Sequence, residues 1–235
     1  MTVTSQSSKI EEARIQEVYA KRHGDGRYSW FSPGHLFMIQ ERERRLLGLL
    51  KKKNLAPLES KTVLEVGCGT GYWLRQFINW GVRPRNIQGI DLLADRVDEA
   101  RRLCPEDVRV DCGSATNLKY GDSTFDLVLQ STVFSSVLDR SVRQQIASEM
   151  LRVVKADGAI IWYDFHVNNP RNPDVLGVKK QEIIQLFPNC RIDLLRITLA
   201  PPLVRKLALV SWLACVLLER VTVLNTHYLG VIRKI

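Results

Sequence analysis

The chain has 235 residues, 45% hydrophobic and 25% charged, with a formal charge of +9 and a pI near 9.5. That length and balance suit a single α/β domain with a substantial core, and the sequence carries no low-complexity tract or internal repeat. Met1 to Ser8 is polar and lacks the basic-then-apolar layout of a secretory leader, so a cytoplasmic protein is expected.

Lys9 to Lys21 carries Ile10, Ala13 and Val18 as a partial apolar face and predicts a first helix. His23 to Gly34 mixes turn formers with Tyr28, Trp30 and Phe31, rings that are expensive to leave in water, and a second helix is expected from His35 to Lys53. Val63 to Val66 is an apolar run that ends in Gly67, Gly69 and Gly71, and Tyr72 to Trp80 then carries apolar residues at helical spacing. The unit reads as strand, glycine loop, helix. Its spacing, counted from Glu65, is E-x-G-x-G-x-G; a dinucleotide fingerprint would need its third glycine at the position of Tyr72.

A second strand is expected over Asn86 to Asp91, a return helix from Ala94 to Cys104 and a short strand over Val108 to Cys112. Phe125 to Gln130 reads as the fourth strand, Ser141 to Val154 as a helix, Lys155 to Gly158 as a turn and Ala159 to Phe165 as a fully covered strand. A helix over Lys179 to Phe187 and strands over Arg191 to Thr198 and His227 to Lys234 complete the series. Such alternation predicts a parallel sheet with right-handed crossovers and a ligand outside the C-terminal strand ends. Gly67, Asp91, Ser114, Gln130 and His166 all fall on that rim.

The Glu65 to Gly71 loop, the strand ending in Asp91 and the Phe125 to Val128 strand together resemble the class I S-adenosylmethionine-dependent methyltransferases, from about Lys61 to the C-terminus. The resemblance implies a Rossmann-like, seven-stranded, mostly parallel sheet with helices on both faces, its last strand antiparallel and inserted beside the fifth. Residues 1–56 would be an N-terminal helical cover, and residues 57–235 the methyltransferase domain of the same structural unit, with a helical insertion between the last two strands. It implies S-adenosylmethionine as cofactor, lying against Glu65, Gly67, Gly69 and Gly71, with both ribose hydroxyls on Asp91. The chemistry agrees: glycine removes the Cβ that would hold a ligand off, and a carboxylate accepts two hydroxyls. At Gly113-Ser114-Ala115 the family commonly has an acid where this chain has Ser114, so the adenine contact at Ser114 and the Ala115 N–H is expected to be weaker or water-mediated, with Asp111 a substitute. Gln130 closes the fourth strand on the cofactor side.

After that strand there is neither the N/D-P-P-Y/F motif of base amine methylation nor a cysteine nucleophile, which argues against a nucleic-acid substrate despite the charge. The expected acceptor is a small or lipid-linked molecule methylated at oxygen. His166 is the candidate general base, since its unperturbed pKa of about 6.5 suits neutral pH, with Asp164 as its orienter or substitute and His35 as rival. By resemblance the N-terminal segment shapes the acceptor pocket, with Tyr28, Trp30 and His35 as candidates; the alternative for Tyr28 and Trp30 is that they pack the N-terminal helices onto the sheet. The charge keeps an RNA or protein methyltransferase open as an alternative, and Ser114 a non-catalytic cofactor-binding scaffold. Five cysteines (Cys68, Cys104, Cys112, Cys190, Cys215) are scattered and never spaced C-x-x-C, and no His/Asp/Glu cluster has ligand spacing, so no metal is expected. The run Leu207 to Leu218 has only Ser211 as a polar residue; it is too short to span a membrane and too apolar for an ordinary surface helix. Burial in the core is the first expectation. A lid at the membrane surface over 203–220 comes second, and a homodimer contact is the remaining reading.

Overall fold

The computed structural model describes residues 3–21, 26, 29–170 and 172–235. Two helices, α1 (Val3–Ala20) and α2 (Pro33–Lys52), precede the sheet. The sheet then alternates β1 (Val63–Val66), α3 (Tyr72–Asn79), β2 (Ile87–Asp91), α4 (Ala94–Leu103), β3 (Arg109–Cys112), β4 (Phe125–Ser131), α5 (Arg140–Val153), β5 (Val154–Phe165) and α6 (Lys180–Leu186). It ends with β6 (Cys190–Leu199), α7 (Pro201–Leu207), α8 (Trp212–Leu218) and β7 (Asn225–Lys234). The seven strands lie in the order β3-β2-β1-β4-β5-β7-β6. β1 pairs in parallel with both β2 and β4, whereas β7 is antiparallel to β5 and β6. This is the expected Rossmann-like layout.

Strand order fixes where a ligand can sit. The chain leaves β1 toward β2 and β3, then returns to β4 on the other side of β1, so a crevice opens where the carboxyl ends of β1 and β4 diverge. Every residue of β1 is buried, because both faces are covered. Leu64 and Val66 pack with α5 and α6, whereas Val63 packs with α3 and α4. The period of two therefore forces Glu65 onto the side of Val63, where it is 3% exposed.

Helix α5 starts at Asp139, whose carboxylate caps the N–H groups of Ser141 at 2.7 Å and Val142 at 3.1 Å. Beneath it lies Arg143, fully buried and fully engaged: it donates to Val137 O at 2.6 Å, Leu176 O at 3.0 Å and Glu182 at 2.5 Å. It thereby ties α5 and α6 to the loops that follow β4 and β5.

Two expectations are corrected. The turn over Lys155 to Gly158 is instead part of β5, accommodated as an irregularity between the pairs Phe125↔Val154 and Leu127↔Ala159. Lys155 holds it by pairing with Asp126 at 2.9 Å, and a Cβ at Gly158 would lie 2.8 Å from Asp126 O. The apolar run Leu207 to Leu218 is not one buried helix. It breaks at residues 208–211, where the Ser211 hydroxyl caps α8 by accepting from Ala214 N at 3.2 Å. Serine competes for the backbone inside a helix and serves better at its start. Only Val204 of α7 and Cys215 of α8 are buried, while Val210 is 86% and Leu213 67% exposed.

Candidate active site

The crevice is floored by the glycine loop. Gly67 and Gly69 have φ of +70° and +52°, in the left-handed region, and the N–H groups of Gly67 and Cys68 both bond to Ile90 O. A Cβ at Gly67 would stand 2.4 Å from Val133 Cγ2, so this glycine lets the loop after β4 close onto the loop after β1. Gly71 is the N-cap of α3 and packs toward Ala100 of α4 and Cys104 just after it, away from the crevice.

Asp91, the last residue of β2, is locked into the same loop. Its Oδ2 accepts Gly69 N–H at 2.7 Å and its Oδ1 accepts Leu93 N–H at 3.0 Å. An ionised carboxylate has about four acceptor sites, so each oxygen keeps a lone pair for a further donor. The crevice comprises about 850 Å³ of free space including its open mouth. Gly67, Gly69, Asp91, Ser114, Ala115 and Thr132 line it from the sheet side, and Glu12, Ile15 and Tyr19 of α1 line it from above.

Helix α1 is fastened there by its own polar face. Ser114 donates to Glu12 Oε1 at 2.5 Å, Arg14 to Ser136 O at 2.5 Å, and Ser8 to Gln145 at 2.7 Å. Burial works against ionisation of Glu11, but the Arg14 guanidinium and the Leu138 N–H outweigh it and hold the carboxyl below its usual range. Tyr19 lies under the Arg96 guanidinium, 4.6 Å from ring centroid to carbon. Sequence reasoning missed Glu12, Tyr19 and Arg96. The first two belong to a helix whose charged side chains look like a solvated face, and no local signal says that this face meets a loop about a hundred residues away.

Other candidates sit behind the crevice wall. Burial, reinforced by the Asp91 charge, raises the Glu65 carboxyl well above the usual range, and its Oε2 has no hydrogen-bond partner among the described residues. Gln130 is fully buried; its Oε1 accepts Val133 N–H at 3.1 Å, so it braces the residue that packs against Gly67. Asp164 is fully buried and accepts from Ser135 N at 3.1 Å and Phe165 N at 2.8 Å; burial pushes its pKa up to about 6. His166 is half-buried and stacks on Tyr228, with Nε2 2.9 Å from Asn225 O, and burial lowers its pKa. Neither Asp164 nor His166 lines the crevice.

Of the expected acceptor residues, Tyr28 lies outside the described residues. Trp30 and His35 are brought together, 5.8 Å between ring centroids, and Trp30 also meets Tyr72 at 5.9 Å. Next to this cluster Arg42 lies over Trp73 at 4.7 Å, Tyr163 at 5.1 Å and Tyr72 at 5.6 Å. Burial lowers the pKa of His35, with the Arg42 and Arg205 charges adding to the effect. Among the described residues no group of His, Cys, Asp and Glu is placed to hold a metal ion.

Residues 63–158 match a family model described as a methyltransferase domain. Norajmaline N-methyltransferase of Rauvolfia serpentina is 31% identical over 128 residues, which are 52% of this chain and 41% of that protein. Demethylmenaquinone methyltransferase of Bacillus licheniformis is 24% identical over 170 residues, 61% of this chain and 70% of that one. The chain spans less than half the length of the first curated relatives it matches. A solved S-adenosylmethionine-dependent methyltransferase from Archaeoglobus fulgidus superposes with a TM-score of 0.59 at 16% identity, covering 85% of this chain and 98% of that one, which shows a shared fold. The two kinds of likeness coincide on one region: residues 63–158, which hold the glycine loop and β1 to β4, match a methyltransferase domain, and the chain shares its fold with a solved S-adenosylmethionine-dependent methyltransferase.

Proposed function

We propose that this protein transfers a methyl group to a small or lipid-linked acceptor, at an oxygen atom. The observation that carries the reading is the Asp91 carboxylate fixed to the glycine loop at the mouth of the β1/β4 crevice. The residues fit the family's cofactor. Gly67 and Gly69 leave the floor free of side chains, and Asp91 keeps acceptors for ribose hydroxyls. S-adenosylmethionine, when bound, supplies a sulfonium methyl already activated for in-line displacement.

The chain's own task is then alignment, which is worth about 7–11 kcal/mol when the reacting groups are well oriented. Crevice walls from α1 and from the loop after β4 exclude water around the ligand. For a hydroxyl acceptor a proton must also leave. His166, which lies outside the crevice lining on the loop after β5, is the candidate base only for an acceptor that extends beyond that lining: with Nε2–H donated to Asn225 O, its Nδ1 carries the lone pair, and its lowered pKa keeps the ring neutral. Asp164 supports the loop through Ser135 instead of touching the acceptor. Trp30 and His35 stand as acceptor-side residues on the α2 flank.

A nitrogen acceptor is the second reading, because two of the curated relatives are named N-methyltransferases. Calorimetry with S-adenosylmethionine, followed by transfer of labelled methyl to panels of alcohols, phenols, quinols and amines, tests both. Absence of cofactor binding removes the proposal. Turnover of amines alone, unchanged in His166→Ala, moves the acceptor atom to nitrogen.

A further inference from the structure

We propose that the outer face of α7 and α8 docks on an anionic membrane surface. Two observations lead there. The first is apolar exposure concentrated on one short segment: Leu209 is 70% exposed, Val210 86%, Leu213 67%, Leu217 55% and Val223 76%. Contiguous exposed apolar side chains on a soluble chain mark a contact site. The inner face of the same segment is already satisfied, with Val204 and Cys215 packed against Phe37 and Leu199. The second observation is the sign of the charge around it. Between Ala200 and Leu224 the only acid is Glu219, which is buried and held by Arg44 at 2.8 Å; the remaining charges, Arg205, Lys206 and Arg220, are all positive.

The geometry gathers these features on one side. Helix α8 runs along α2: Phe37 meets Trp212 edge to face at 5.0 Å, and Arg44 reaches Glu219. Leu213, Leu217 and Arg220 follow one another at i, i+4 and i+7, on the side away from α2. At the other end, Gly34 lies against the Arg205 backbone, and Phe31, three residues earlier, is 97% exposed. The result is an apolar ridge with basic residues at both ends, the pattern of an element that lies in a headgroup region. No helix among the described residues is long and apolar enough to cross a membrane, so the segment lies on the surface. A second copy of the chain fits less well, because a two-fold contact would bring the Lys206 and Arg220 rims together and add to the repulsion of two chains of charge +9. An anionic lipid surface reverses both effects, because each basic residue near it is attracted. This inference does not depend on which acceptor is methylated.

Co-sedimentation with phosphatidylcholine vesicles, with and without phosphatidylglycerol, tests it on the full chain. The protein is expected to pellet only with the anionic vesicles and to be released by salt. Leu213→Asp with Leu217→Asp should lower binding by at least about tenfold, and Lys206→Glu with Arg220→Glu by a similar factor, each at an unchanged melting temperature. Lys206, Leu213, Leu217 and Arg220 are exposed, so the fold should tolerate these changes. Failure of the wild type to pellet with anionic vesicles overturns the proposal. So does binding that none of these variants alters, or a dimer in solution that Leu213→Asp dissociates.

Discussion

Asp91→Asn probes the crevice most directly, because it keeps the shape of the side chain and removes one acceptor. Both carboxylate oxygens are in use, Oδ2 for Gly69 N–H at 2.7 Å and Oδ1 for Leu93 N–H at 3.0 Å. An amide has a single oxygen, so in either flip its NH₂ group faces a backbone N–H. The loop then loses one charge-assisted hydrogen bond, worth about 1.5–3 kcal/mol. Asp91 is only half-buried, so the lower part of that range applies to folding stability. The remaining lone pairs are the ones available to ribose hydroxyls, and losing one of those contacts as well lowers cofactor affinity by roughly ten- to a hundredfold. Urea unfolding reads the first loss and isothermal titration with S-adenosylhomocysteine the second. An Asn variant that is as stable as the wild type and binds the cofactor equally well would refute the assignment of Asp91, and with it the link between glycine loop and ribose.

Three further outcomes are expected. Gly67→Ala should lower stability by about 1–2 kcal/mol for a non-glycine residue in the left-handed region, plus the displacement of Val133; adding Val133→Ala should recover only the second part in thermal melts. Glu12→Gln keeps an acceptor for Ser114 but removes the charge above the crevice, so cofactor affinity should fall about fivefold with an unchanged circular dichroism spectrum; an unaltered affinity removes Glu12 from ligand binding. Asp164 has a pKa of about 6 in the fold against an ordinary 3.8, so its stabilising protonated form is complete below 3.8 and lost as pH rises to about 6, a change on the order of 3 kcal/mol. Asp164→Asn should therefore flatten the fall in unfolding free energy over that window, and an unchanged pH slope would show that the carboxyl is already ionised there.

What was legible in the sequence was local. Apolar runs mark β1, β2, β4 and β5, and the E-x-G-x-G-x-G spacing alone locates a loop whose Gly67, Gly69 and Gly71 all have positive φ. Where local signals competed, the reading failed. Lys155 to Gly158 has turn composition, yet Asp126 of the neighbouring strand pairs with Lys155 and draws it into β5. Leu207 to Leu218 has the composition of a buried helix, but one serine that caps better than it continues a helix divides it, and half of the segment stays outside.

The departure at Ser114 shows where local reading stops. Taken alone, a serine in place of an acid weakens the expected adenine contact. In the fold, the Ser114 hydroxyl is hydrogen-bonded to a carboxylate after all, that of Glu12 on α1. This carboxylate arrives with a helix that also contributes Ile15 and Tyr19 to the crevice, so its presence depends on α1 being docked through Arg14 and Ser8. A ligand that contacts both α1 and the sheet binds the docked arrangement and not the open one, and by mass action stabilises it. Helix α1 is therefore part of the crevice wall, and the affinity of a ligand that touches it includes the free energy of holding α1 in place.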